Sequence, residues 1–263
     1  MITALISTKA LLLLSGLAAG LLAGVLGIGG GVLLVPLLVG FGYPPVQAVG
    51  TSTLGILIIA FGGTLQNLRS GYLRLNSILM LGLPSIVTAQ LGAFCASQVW
   101  EPLLLGSFGL LLWATIYLVD LRKRLTRLPG GSKMQPTRNP LFARLTTGSL
   151  SGFLAGFFGV GGGVVLVPLQ IWLVGESMKV AIQTSLGVIM ITALSALVGH
   201  AIANNVLLTE GLLVGIGGFL GAQISTRFLP KLPEQIVSRL FRSMLALLSI
   251  YVFWQAWQLM NAA

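Results

Sequence analysis

The polar side chains of this chain that could meet a ligand are few, uncharged and duplicated. Thr51-Ser52 recurs as Thr184-Ser185, and Gln90 recurs as Gln223. Hydroxyls and amides inside apolar segments either bond back to helix backbone or offer donors to a buried partner. Beside them run two glycine clusters, Gly27-Ile28-Gly29-Gly30-Gly31 and Gly159-Val160-Gly161-Gly162-Gly163. Each leads through four apolar residues to a proline, Pro36 or Pro168. Glycine costs about 1 kcal/mol relative to alanine in a helix interior, so three in a row break a helix. The break leaves bare N–H groups, and successive N–H groups at a helix start attract anions. The reading is a site for an anion. Gly29, Gly30, Gly31, Gly161, Gly162 and Gly163 act as backbone donors, Thr51, Ser52, Thr184 and Ser185 as hydroxyl donors, and Gln90 and Gln223 as orienting amides. A site without arginine suits an anion that must also leave.

Other chemistries are poorly served. One histidine and one cysteine, Cys95, cannot assemble a metal site of the usual nitrogen and sulfur type. No Ser–His–Asp set or carboxylate pair exists for hydrolysis. The triple glycines lack the strand–turn–helix context and acidic partner of a dinucleotide fingerprint. An enzyme is therefore not expected, nor a cofactor. His200, aligned with Asn67, titrates near neutral pH unless shifted. It is the candidate for proton coupling, with an interfacial structural histidine as the plainer alternative.

These residues need a membrane to hold them. Of 263 residues, 56% are hydrophobic and 8% charged, with a mean hydropathy of +0.98. Soluble domains carry about 25% charged residues, so the chain reads as an all-α polytopic membrane protein. Lys and Arg number 15 against 5 acids. Basic residues gather in cytoplasmic loops, and no aromatic-interleaved basic patch suggests nucleic acid. Lys9 before an apolar run looks like a secretory leader, but the twin of that run deep in the chain argues against cleavage.

That twin is the organising feature. Residues 16–37 set over 148–169 give 14 identities in 22 ungapped positions, all seven glycines included. After one inserted residue the register continues, with Ala48 on Ala181, Ala89-Gln90 on Ala222-Gln223 and Phe108 on Phe241. The chain divides into a first repeat, 1–121, a basic linker, 122–144, and a second repeat, 145–263. Gly16, Gly20 and Gly24, with Gly148, Gly152 and Gly156, line one helix face each, as small-residue membrane packing requires.

Charge placement threads the segments. Arg69 and Arg74, the linker, and Arg227 to Arg242 belong on the cytoplasmic side, whereas Glu101 and Glu210 fall on the other. Equivalent loops of the two halves thus carry opposite charge character. The expectation is two inverted-topology repeats, each a Gly-broken re-entrant or short helical hairpin plus three spanning helices, with both termini outside. A rival threading makes each broken segment a single crossing and the halves parallel. It strands Arg227 to Arg242 outside.

Taken together, the two GxGGG…VP segments, the Ala-x-x-Thr-Ser stretches at 48–52 and 181–185, Gly221-Ala222-Gln223 and the two-half layout resemble the TauE/SafE (sulfite exporter, DUF81) family of membrane permeases. The resemblance covers essentially the whole chain. It implies a transporter of small sulfur-containing or organic anions such as sulfite, sulfonates or thiosulfate, often moved outward. Here Thr88 stands where the second half has Gly221, so a role for Gln90 carries over less directly. The expectation is a secondary transporter in a cell membrane, the bacterial inner membrane suiting the short loops. Its partners are the small anion, the bilayer and a coupling ion, proton or sodium. A passive anion channel or facilitator, or a membrane scaffold subunit, are the competing readings.

Overall fold

A computed structural model describes the backbone of residues 2–127 and 139–262, with side chains for 9–117, 139–233 and 235–261. Among the described residues the elements are helical, with five α-helices in each half. The first half contains α1 (Ile2–Leu26), α2 (Gly31–Gly40), α3 (Pro45–Arg69), α4 (Leu75–Ala96) and α5 (Glu101–Arg127). The second contains α6 (Pro140–Phe158), α7 (Gly163–Leu169) continuing as a π-helical turn (Gln170–Val174), α8 (Met178–Ile202), α9 (Leu208–Phe228) and α10 (Glu234–Ala262). Among the described residues, six helices are long and apolar enough to cross a membrane.

Local sequence explains the boundaries. Pro45 opens α3 and Pro140 opens α6, at first-turn positions where the missing N–H has no partner to lose. Asn139 Oδ1 accepts the Phe142 N–H at 3.4 Å as an N-cap of α6. The short helices α2 and α7 start instead from Gly30 and Gly162, at φ +80° and +72°. Both values lie in the left-handed region that glycine occupies without a Cβ penalty. Each glycine break therefore folds as a hairpin, α1 into α2 and α6 into α7. Helices extend further into the charged stretch than its composition suggests. α5 runs through Arg127 and α6 starts at Pro140, while the intervening part of the linker lies outside the described residues.

The halves are interleaved. α1 packs along α9, with Gly16 against the Val214 carbonyl and Gly20 against that of Gly218, so the two run in the same direction. α6 packs along α4 in the same manner, Gly148 against Leu81 and Gly156 against Ala89. Each half thus closes its glycine face on the other half. α3 and α8 cross at the centre in opposite directions, since Asn67 near the end of α3 bonds to Gln183 near the start of α8. α5 and α10 pair on the flank, where Phe108 and Phe241 are the largest fully buried side chains. With lipid tails as apolar as leucine, close backbone packing rather than the hydrophobic effect holds such seams.

Candidate functional site

The two glycine breaks meet in the middle of the molecule. A methyl group on Gly31 would lie 2.6 Å from Val160 Cα and 2.7 Å from the Gly159 oxygen. One on Gly163 would lie 2.5 Å from the Gly27 oxygen and 2.7 Å from Ile28 Cα. Gly29 and Gly161 both face Ile56 and Ile189, which occupy the middle turns of α3 and α8. Every residue from Leu26 to Val32 and from Phe158 to Pro168 is buried. The N–H groups of Gly29, Gly30, Gly161 and Gly162 find no acceptor among the described residues. Unpaired backbone donors inside a protein are rare, and two matching sets of them are concentrated here.

The serines clasp each apex to the opposite half. Ser52 Oγ lies 2.6 Å from the Gly159 oxygen and 2.7 Å from that of Val49, and shares its proton between them. Ser185 Oγ lies 2.7 Å from the Gly27 oxygen and 2.8 Å from that of Ile182. The two arrangements correspond position by position. In this conformation both hydroxyls are engaged with apex carbonyls.

The threonines break the correspondence. Thr51 Oγ1 accepts the Leu207 N–H at 3.0 Å, tying the start of α3 to the α8–α9 turn. Thr184 is 1% exposed and its hydroxyl has no partner among the described residues.

Gln90 donates to the Ser195 carbonyl at 2.7 Å and Gln223 to that of Gly62 at 2.9 Å. These are equivalent bridges, α4 to α8 and α9 to α3, away from the apexes. His200 is fully buried, with Nε2 at 2.8 Å from the Gly156 carbonyl and Nδ1 without a partner among the described residues. A carbonyl only accepts, so Nε2 carries the proton and the ring fastens α8 to α6.

Basic side chains gather toward one end. At one end stand Arg74, Arg144 near the start of α6, Lys179, whose Nζ donates to the Pro230 carbonyl at 2.9 Å, and Arg227, whose Nε donates to Gln66 Oε1 at 3.2 Å. In the turn before α8, burial raises the pKa of Glu176, and the Arg74 and Arg144 charges oppose the shift. At the other end, Tyr43 Oη donates to Glu210 Oε1 at 3.5 Å, and burial, then the Glu210 charge, raises the Tyr43 pKa. The basic end holds a cavity of about 320 Å³ lined by Tyr72, Arg74, Lys179, Val180, Gln183 and Pro230 among others. Sequence reading used Arg74 only as a topology marker. It overlooked Ile56 and Ile189, although the repeat register sets one on the other.

A sequence model of the family described as "Sulfite exporter TauE/SafE" matches residues 12–252. A "Probable membrane transporter protein" of Xylella fastidiosa is 31% identical over 251 residues, 92% of this chain and 94% of that protein. One from Methanocaldococcus jannaschii, MJ0441, is 28% identical over 79% of this chain and 76% of its own length. YunE of Bacillus subtilis is 25% identical over 93% and 97%. With its interleaved apolar helices and a family match over nearly its whole length, the chain is a multi-pass membrane protein that belongs to the sulfite exporter TauE/SafE family.

Proposed function

We propose that the chain is a secondary transporter, an exporter, of a small sulfur-containing or organic oxyanion such as sulfite, a sulfonate or thiosulfate. The halves are inverted repeats, the linker 122–144 is cytoplasmic, and the membrane is a bacterial inner membrane. The anion is handed between the two apexes by alternating access. The observation that carries this reading is the meeting of two matching breaks at mid-height, each with unpaired N–H donors. Irregular backbone at membrane depth is tolerated where it is packed in protein or lines a cavity, and paired breaks of this kind mark transporter sites. The family description and the names of the relatives support the same class.

The apexes are closed over by Ile56 and Ile189, so passage requires the hairpins to part. Ser52 and Ser185 then exchange an apex carbonyl for an anion oxygen, and Thr51 and Thr184 add donors as each end opens. Gln90 and Gln223 keep α4 and α9 in register while this happens. His200 is the group through which a proton would be coupled.

The test is flux in liposomes holding the purified chain, with radiolabelled sulfite and thiosulfate, a sulfonate and a carboxylate. Movement of sulfur oxyanions is expected, with Gly30→Ala and Gly162→Ala folded but slowed about tenfold or more through strain at positive φ. Normal flux in both folded variants would sink the site assignment, and no flux in the parent would sink the transport reading.

A further inference from the structure

The cavity at the basic end joins exposed residues, Tyr72 and Arg74, to Gln183, which is 8% exposed. Its volume far exceeds the ~30 Å³ a water occupies in the liquid, leaving room for a hydrated oxyanion. We propose that this cavity is the entry site for the oxyanion, where Arg74 and Lys179 draw it in and the Gln183 carboxamide is its innermost contact. The proposal rests on the transport reading and assigns it a mouth.

Three observations carry it. The first is charge. Arg74 and Lys179 line the cavity, whereas the register sets Leu207 and Val46 in their places at the far end. Clefts lined by one sign of charge concentrate the opposite ion and speed its arrival. The second is the closure of that far end. There a Cβ on Gly50 would run into the Asn205 carbonyl, and Thr51 holds the Leu207 N–H. The third is continuity. Gln183 precedes Thr184, with its unpartnered buried hydroxyl, and Ser185, which holds the Gly27 carbonyl. One turn of α8 therefore leads from the cavity wall to an apex. Glu176 stands near Arg74 and Arg144, so an arriving anion competes with its carboxylate for these cations.

The same cations suit a lipid phosphate, and the experiment separates the two sources. Flux of sulfite and thiosulfate is measured in phosphatidylcholine vesicles, with the anion varied on the side of the basic loops. For Arg74→Gln the expected result is a KM raised roughly tenfold with kcat within about twofold, and a larger rise for Arg74→Glu. Added salt raises the parent's KM steeply and leaves that of Arg74→Gln nearly flat. Unchanged KM in both variants overturns the proposal. So does an effect that emerges only when phosphatidylglycerol is added, which assigns the site to lipid. Thermal stabilisation of the detergent-purified protein by thiosulfate is read in parallel. Stabilisation lost in Arg74→Glu supports the site even where flux fails and the transport reading falls with it. Equal stabilisation in parent and Arg74→Glu, or none in the parent, overturns it.

Discussion

Two threonines at equivalent positions occupy different hydrogen-bonding states, and that difference is measurable. Thr51 accepts the Leu207 N–H, whereas the Thr184 hydroxyl is buried without a partner. Thr51→Val removes an acceptor and is expected to cost about 1 kcal/mol. Thr184→Val replaces an unpaired buried hydroxyl by a methyl of similar shape, and is expected to leave stability unchanged or raise it by about 1 kcal/mol. Thermal unfolding in detergent compares them, and equal losses would contradict the assignment. Glu176 gives a second residue-scale prediction. Burial raises its folded pKa above its ordinary value of 4.5, so between those two values the native chain binds more protons than the unfolded one. Stability then falls as pH rises through that window and stays lower above it. Glu176→Gln removes the penalty. Its midpoint is expected to exceed the parent's by up to a few degrees at about pH 8, and to match it at about pH 4, about 1 kcal/mol being worth roughly 2–4 °C at this chain length. A parent that gains stability from pH 4 to 8 relative to the variant would reverse the sign.

At the scale of elements, the seams α1–α9 and α4–α6 depend on missing Cβ atoms. In Gly20→Ala the methyl runs into the Gly218 carbonyl, and in Gly152→Ala it comes within 2.6 Å of Ser85 Cα. Backbone cannot yield as a flexible side chain does, so each is expected to destabilise by about 1–3 kcal/mol. Gly106 in α5 has open space around it. Gly106→Ala is expected to be neutral or to stabilise by up to about 1 kcal/mol through helix propensity. Unfolding of the three variants side by side checks this, and a common response would show that the seams are loose. The glycine faces were legible from their four-residue spacing, and the hairpins from three glycines in an apolar run. The choice of neighbour was not legible. A repeat tells which segments are equivalent, but α1 could have closed on α4 of its own half instead of α9 of the other. The serine clasps were hidden for the same reason, because Ser52 and Gly159 are far apart in sequence and meet only once the halves interleave. α5 and α6 run past the apolar stretch because arginine, lysine and leucine are good helix formers, so charge marks where the apolar stretch stops and not where the helix does.

For the molecule as a whole, the meaning of the structure lies in its departures from an exact correspondence of halves. Packing, apex contacts, serine clasps and glutamine bridges all occur in matching pairs. Two of the exceptions are at the two ends, a tied turn at Thr51 and Leu207 and a cavity beside Thr184 and Arg74. In the proposed transport cycle a second conformation exchanges these roles. Thr184 takes up the Arg74 N–H, the equivalent of Leu207, while Thr51 lets go. The exchange breaks one hydrogen bond and makes another, about 1 kcal/mol each. Cysteine pairs in a Cys95→Ser background test it. Thr51→Cys with Leu207→Cys is expected to cross-link under mild oxidation in the resting protein and to stop flux until reduced. Thr184→Cys with Arg74→Cys is expected to cross-link slowly at rest and several times faster when a transported anion is present on both sides, because a ligand shifts the population toward states it binds better. A second pair whose rate ignores the anion, or a first pair whose cross-link leaves flux intact, would mean that these ends are fixed braces and that the site opens elsewhere.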